Sequence, residues 1–274
     1  MSAPTHDYSG ATVAAPREAP EPDARGQHAA YLLSLGDDAL IYAQRLGEWM
    51  THAPQIEEDM ALGNVGLDLL GQGRALLTRA GEVEGQGRDE DALAMLRDER
   101  EFRNVHLVEQ PRGDFGQEMA RMLWFASYQH ELYSALLGSA DETLAGVAQK
   151  AVKEVDYHRD HATQWVLRLG DGTELSHERM QAALDWVHPY VAELGEDFAA
   201  ARWASEQGVG VLPSTLTDAV NSYVCGVVEH ATLTMPEQPR WRARGGREGV
   251  HSEPMGFLLA ELQHIARSHP GATW

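Results

Sequence analysis

Leu144, Ala148, Ala151, Val155, His158, Ala162, Trp165 and Leu169 alternate spacings of four and three until Gly170-Asp171-Gly172 stops the pattern. A repeat held over about seven turns fits only a long helix buried along one whole face. Such a helix needs neighbours of similar length, and the rest of the chain offers them. Tyr31, Leu35, Ala39, Tyr42, Leu46 and Trp49 form one stripe, ended by His52-Ala53-Pro54. A second helix starting near Ile56 carries Met60, Leu67, Leu70 and Leu77 among Gly63, Gly66, Gly71 and Gly73, glycines that predict close backbone approach to a neighbour. A shorter helix is expected over Asp91 to Arg103, and a third long one over Phe115 to Leu137 with Phe115, Met119 and Met122 inward. Ser176 is expected to cap a helix bearing Met180, Leu184, Val187 and Leu194, bent at Pro189. Further helices are expected from Ser214 to His230 and after Ser252 and Pro254. The expected class is all-α, an up-and-down bundle with extra C-terminal helices.

The first 26 residues hold Pro4, Pro16, Pro20 and Pro22 among Ala, Glu and Asp with no period that could bury a face. They predict a flexible tail over 1–26 ahead of a single helical domain over 27–274. A net charge of -20 repels phosphate backbones and anionic lipid, which argues against nucleic-acid and membrane partners. No apolar run approaches the ~20 residues of a membrane span and no secretion signal is visible, so the cytoplasm is the expected location. Cys225 alone permits neither an internal disulfide nor a thiolate zinc site.

One class of four-helix bundle holds two iron ions with a Glu from each of two helices and a Glu-x-x-His from each of the others. This chain contains three Glu-x-x-His matches. Glu174 to His177 falls at a helix start and Glu248 to His251 in a Gly-rich loop; Glu261 to His264 falls on the margin of the last helix, where a solvated face is expected. On the longest stripe His158 sits inward as a ligand would, but the position three residues earlier is Val155. Glu154 lies one step off the seam. On the second helix Asp68 could supply the acid, but Gly71 and Gln72 follow where an imidazole is needed. Glu48 and Glu131 are the available carboxylates on the first and third helices. Glu48, Asp68, Gly71, Val155 and His158 therefore read as a degenerate ligand set with no metal. A buried His158 then needs a hydrogen-bond partner, which Asp68 or Glu48 could provide.

Several longer segments carry a family resemblance. Arg45-Leu46-Gly47-Glu48-Trp49, Asn64-Val65-Gly66-Leu67-Asp68-Leu69-Leu70-Gly71-Gln72, Arg97-Asp98-Glu99-Arg100-Glu101-Phe102-Arg103-Asn104, Leu107-Val108-Glu109-Gln110-Pro111, Lys153-Glu154, Tyr157-His158, Ala231-Thr232-Leu233 and Gly245-Gly246 resemble, in order, the C-subunit family of bacterial phenylacetyl-CoA epoxidases. The resemblance implies a ferritin-like fold. It also implies a structural role beside a catalytic A-subunit, which holds the iron and reads Lys-Glu-Glu-x-x-His where this chain has Lys153-Glu154-Val155-Asp156-Tyr157-His158. By the same resemblance the assembled monooxygenase epoxidises the ring of phenylacetyl-CoA with oxygen and electrons from a reductase subunit, which this chain meets only indirectly, and self-association is expected. An independent di-iron oxygenase built on Glu48, Asp68, Glu131, Glu154 and His158, and an unrelated helical scaffold, are the alternatives.

The substrate's CoA carries phosphates, for which Arg offers a planar, permanently charged fork. Arg97, Arg100 and Arg103 at spacings of three would line one side of the expected Asp91–Arg103 helix. Arg100, Glu101, Phe102, Arg103 and Asn104 are accordingly candidate CoA contacts, with Arg202 and Trp203 as a second group. Interleaved Asp98, Glu99 and Glu101 favour the plainer reading, ordinary surface pairs worth about 0.2–0.5 kcal/mol each.

Overall fold

The computed structural model describes residues 23–272, and among these there is no β-strand. Its helices are α1 (Ala24–Gly47), α2 (Ile56–Glu84), α3 (Glu90–Met95), α4 (His106–Glu109), α5 (Phe115–Leu136), α6 (Glu142–Gly170), α7 (Glu174–Val191), α8 (Ala199–Glu206), α9 (Thr217–His230) and α10 (Glu253–Ser268), with short 3-10 turns between several of them. The expected tail lies outside the described residues except for 23–26, where Asp23 already caps α1 by accepting from the Gly26 amide at 2.9 Å.

The four long helices α1, α2, α5 and α6 form a ferritin-like bundle, with α7 and α9 packed on α5 and α6, α8 on α1, and α10 across α3 and α4. Helices α1 and α2 run antiparallel at close range. A Cβ at Gly73 would meet the Gly36 carbonyl at 3.3 Å, and one at Gly66 the Ala43 carbonyl at 3.7 Å. Gly63 and Gly71 serve no such approach: a Cβ on Gly63 would meet nothing within 4 Å, and one on Gly71 only the Lys150 amine at 3.9 Å.

Four expectations fail on α2 and beyond it. Met60, Leu67 and Leu70 point to solvent, while Leu62, Val65, Leu69, Leu76 and Leu77 face the core. Helix α2 carries an apolar stripe on each side, and periodicity alone cannot tell which one is covered. The Asp91–Arg103 helix also ends early. Helix α3 stops at Met95, Glu99–Glu101 makes one 3-10 turn, and Phe102 is extended. This segment is a crossover. Tyr42 of α1 reaches Glu118 of α5 while Gln72 of α2 meets Tyr133 of α5, so α5 runs parallel to α2 and antiparallel to α1. The order is up, down, down, up, with one long connection, not short links throughout. At the next turn Thr173, not Ser176, caps α7, its hydroxyl accepting from the Ser176 amide at 3.2 Å.

An irregular segment under a bundle leaves backbone groups that must find partners. Buried charges supply them. Asp37 pairs with Arg97 and accepts from the Arg103 amide at 2.8 Å. Asp38 accepts from Arg247 at 2.7 Å and from the Val105 amide at 2.9 Å. Arg247 in turn donates to the carbonyls of Ser34 and Arg103, and Arg45 to that of Glu109. Arg121 donates to the carbonyls of Gln110 and Pro111. Glu193 accepts from the amides of His106 and Gly246, and Glu109 from His251, the Ser252 amide and Asn104. Burial pushes the Asp38 carboxyl up to about 6 even against the opposing charge of Arg247.

Removing one member strands the other's charge in the interior, at a cost of about 3–5 kcal/mol. Arg97→Met is expected to lower unfolding free energy by that amount in urea titrations, and Arg97→Met combined with Asp37→Asn to lose less than Arg97→Met alone.

Candidate functional site

The bundle midpoint, where α1, α2, α5 and α6 face one another, is where a helical di-iron site would be built. His158 projects inward from α6 and is buried. Its Nε2 lies 3.1 Å from Oδ2 of Asp68 on α2, one of the two partners the sequence suggested. Burial holds the imidazole below its usual pKa, and the Asp68 bond and charge oppose that only in part. Val155, one turn earlier, is wholly buried and brings no oxygen.

On α2 the inward residue at this level is Gln72, and Gly71 is exposed, so Gly71 is not the emptied ligand position the sequence suggested. The Gln72 amide oxygen accepts from Tyr133 at 3.1 Å and from Gln129 at 3.5 Å, both on α5, and its nitrogen donates to Glu154 on α6 at 3.0 Å. Glu154 thus reaches the interior from one step off the seam, and Lys150 holds its other oxygen at 3.0 Å. Glu48 is drawn away at the end of α1, where Arg45 holds it. Glu131 pairs with His130 and Arg159 at the margin. His161 meets Glu58 at 3.2 Å.

The donor set does not fit a pair of iron ions. Gln72 and Gln129 are neutral amides that cannot offset ferrous charge, and Val155 is a hydrocarbon. Among the described residues no three His, Cys, Asp or Glu side chains converge as a metal-holding group. Gln129, Tyr133 and the buried acids Asp37, Asp38, Glu109 and Glu193 were not singled out in the sequence. Polar residues on inward helical positions were the available signal.

The candidate CoA contacts separate. Phe102 is buried beneath the Arg97 guanidinium, 4.2 Å from its ring centre, and Asn104 is buried against Glu109, so neither faces solvent. Glu101 caps the 3-10 turn through the Asp98 amide. Arg100 is exposed, and Arg103 lies half-buried with Nη1 on the Arg100 and Phe102 carbonyls. Arg103 shares a cavity of about 410 Å³ with Arg25, Arg88 and Arg97, lined also by Asp23, Glu84 and Glu101. Arg97 is there, but as the partner of Asp37, because the helix that would have aligned the three arginines does not form. Arg202 is exposed on α8, while Trp203 is half-buried with its ring 5.6 Å from that of His28.

The sequence profile of the phenylacetic acid catabolic proteins matches residues 2–274. The chain belongs to that family. Among its relatives, the C-subunit of the 1,2-phenylacetyl-CoA epoxidase of Escherichia coli (strain K12) is 44% identical over 248 residues, covering 90% of this chain and 99% of the relative. Segments that carry the resemblance map onto the two polar systems above. Arg97 to Pro111 and Gly245-Gly246 build the crossover lock, and the run ending at Gln72 supplies the midpoint amide.

Burial also lowers the imidazoles of His28, His161 and His188, so with His158 four histidines protonate later in the folded chain than in the unfolded one. Stability from these groups is intact above pH about 6.5 and is lost as pH falls through their folded values. His106 runs the other way: burial lowers it, but Glu193 and Glu109 outweigh that and raise its pKa. Acid unfolding should therefore be shallower in His158→Gln, whose amide can keep the Asp68 bond without titrating, when melting temperature is followed from pH 7 downward.

Proposed function

We propose that this chain is the non-catalytic structural subunit of a multicomponent phenylacetyl-CoA 1,2-epoxidase. In this reading it holds no iron and supports a related di-iron A-subunit in aerobic phenylacetate degradation. That A-subunit is its direct partner, and the reductase meets it only through the assembly. The observation that carries the reading is the midpoint, where the buried Val155 stands one turn before His158 and the amide of Gln72 takes the inward place on α2. Membership of the family and the likeness to the Escherichia coli C-subunit support it. The rival reading, an independent oxygenase, would have to use Glu154, Asp68 and His158 with two amides between them. Among the described residues no helix is long and apolar enough to cross a membrane, and the reading keeps the whole assembly in the cytoplasm.

Iron per chain after purification separates the two readings. The expected result is substoichiometric iron with no oxo-bridged absorption band, unchanged in Val155→Glu, because one added carboxylate leaves both amides in place. Stoichiometric iron in the unmodified chain would favour the oxygenase. The A-subunit produced without this chain should be less soluble and less active than when the two are produced together, and full activity alone would remove the structural role.

The reading extends to a phosphate contact from Arg100 and Arg103, the two members of the arginine group that reach the surface. In the assembled enzyme, Arg100→Ala with Arg103→Ala should raise the KM for phenylacetyl-CoA with little change in kcat, as loss of a contact made equally in ground and transition states requires. Unchanged kinetics would discard that contact.

A further inference from the structure

Away from the midpoint, residues of α5, α7, α9 and the 235–242 loop enclose a cavity of about 470 Å³. The loop is pinned to α7 at both ends. Gln181 exchanges two hydrogen bonds of 2.9 Å with the Thr234 backbone, and the Ala243 amide donates to the Pro189 carbonyl at 3.0 Å. Between those ends Trp241 meets the Tyr190 ring edge-on at 5.8 Å, and Pro236 and Pro239 fix their own backbone. The cavity is therefore shaped before anything enters it. Its volume falls within the range of small-molecule pockets, roughly 300–1,000 Å³.

Trp124, Val191, Leu194, Val220 and Met235 give this cavity apolar walls, and no Asp or Glu among the described residues lines it. In a chain of net charge -20 that is a selective omission. His188 and Arg242 are the basic groups present, close enough for the Arg242 charge to act on the imidazole. Arg242 is exposed and forms no ion pair among the described residues; its hydrogen bond goes to the neutral amide of Gln238. Glu196, an acid that feels the Arg242 charge, is paired with Arg244 at 3.8 Å instead. Nδ1 of His188 is buried without a partner, which leaves Nε2 as the nitrogen a ligand can reach. Burial first and the Arg242 charge second hold that imidazole below its usual pKa, so near pH 7 it offers a neutral N–H rather than a second positive charge.

We propose that this cavity binds a small aromatic monocarboxylate, its ring among Trp124 and the aliphatic side chains and its carboxylate on Arg242 and Nε2 of His188. A guanidinium without an acid partner beside apolar walls matches an anion with an apolar body. One such cation suits a single carboxylate better than the several phosphates of a nucleotide. A compact cavity walled by an indole and flat proline rings suits a ring better than a long chain.

The full chain is titrated by isothermal calorimetry with 3-phenylpropanoate and with its neutral amide, 3-phenylpropanamide. The acid is expected to bind one per chain with a Kd below about 1 mM, at least about tenfold tighter than the amide. Arg242→Gln should weaken the acid by about tenfold and leave the amide unchanged, with Arg242→Lys, which keeps the charge but loses the fork, in between. Both variants alter an exposed side chain, so circular dichroism should stay unchanged. Cys225 reports the location, being the chain's single cysteine, exposed, and part of the same lining. Saturating 3-phenylpropanoate should slow its alkylation by iodoacetamide several-fold. Equal affinity for acid and amide overturns the assignment, as does an Arg242→Gln chain that binds the acid like the unmodified one. Acid that binds without protecting Cys225 sits elsewhere and overturns it too, and so does a chain that binds no acid. Each of these failures leaves the structural-subunit reading standing, because the cavity lies apart from the midpoint on which that reading rests.

Discussion

Asp37 and Asp38 are neighbours on α1, and the crossover between α2 and α5 takes its shape from what they bind. One carboxylate holds Arg97 and the Arg103 amide, the other Arg247 and the Val105 amide. Through Arg247 the loop before α10 is tied to the same place, and through Glu109 and Glu193 the start of α4, the end of α7 and residues 246–252 join it. A helix satisfies its own backbone, but a crossover cannot, so the interior charges act as its missing ladder. The direction of α5, and with it the whole bundle order, follows from that segment having somewhere to sit.

The long helices were legible because one period runs through each of them. Helix α6 is the clearest: the spacing marked Leu144, Ala148, Ala151, Val155, His158 and Ala162, which are buried, and only past Ala162 does the buried face shift to Val166, leaving Trp165 and Leu169 half-buried. Helix α2 shows the limit. Two stripes compete there, and only the tertiary arrangement decides that Leu62, Val65 and Leu69 win over Met60, Leu67 and Leu70. Residues 96–103 were misread as the rest of an Asp91–Arg103 helix, on which Arg97, Arg100 and Arg103 would have shared one side. Arg97 is instead drawn into the core by a carboxylate sixty positions away in sequence, a partnership no local pattern carries.

The midpoint site was half legible. Val155, three residues before His158, was legible as a hydrocarbon where the resemblance expects a carboxylate, and the Asp68 partnership followed from the need to satisfy a buried imidazole. Gln129 and Tyr133 were invisible to a search for ligand motifs, because an amide or a phenol on an inward position is chemically unremarkable until its neighbours are known. Glu154 was placed just off the seam by its spacing, and the structure brings it in through Gln72 rather than through the backbone.

Closing the midpoint with neutral amides has a thermodynamic consequence. A bundle that binds metal in its centre draws stability from it by mass action, and its folded population then rises and falls with the metal supply. Gln72 accepts from Tyr133 and Gln129 and donates to Glu154, so side chains of α2, α5 and α6 are tied together at this level by amide and phenol bonds. On the proposed reading, a chain whose midpoint holds no metal would reach its native state at a yield independent of the iron supply.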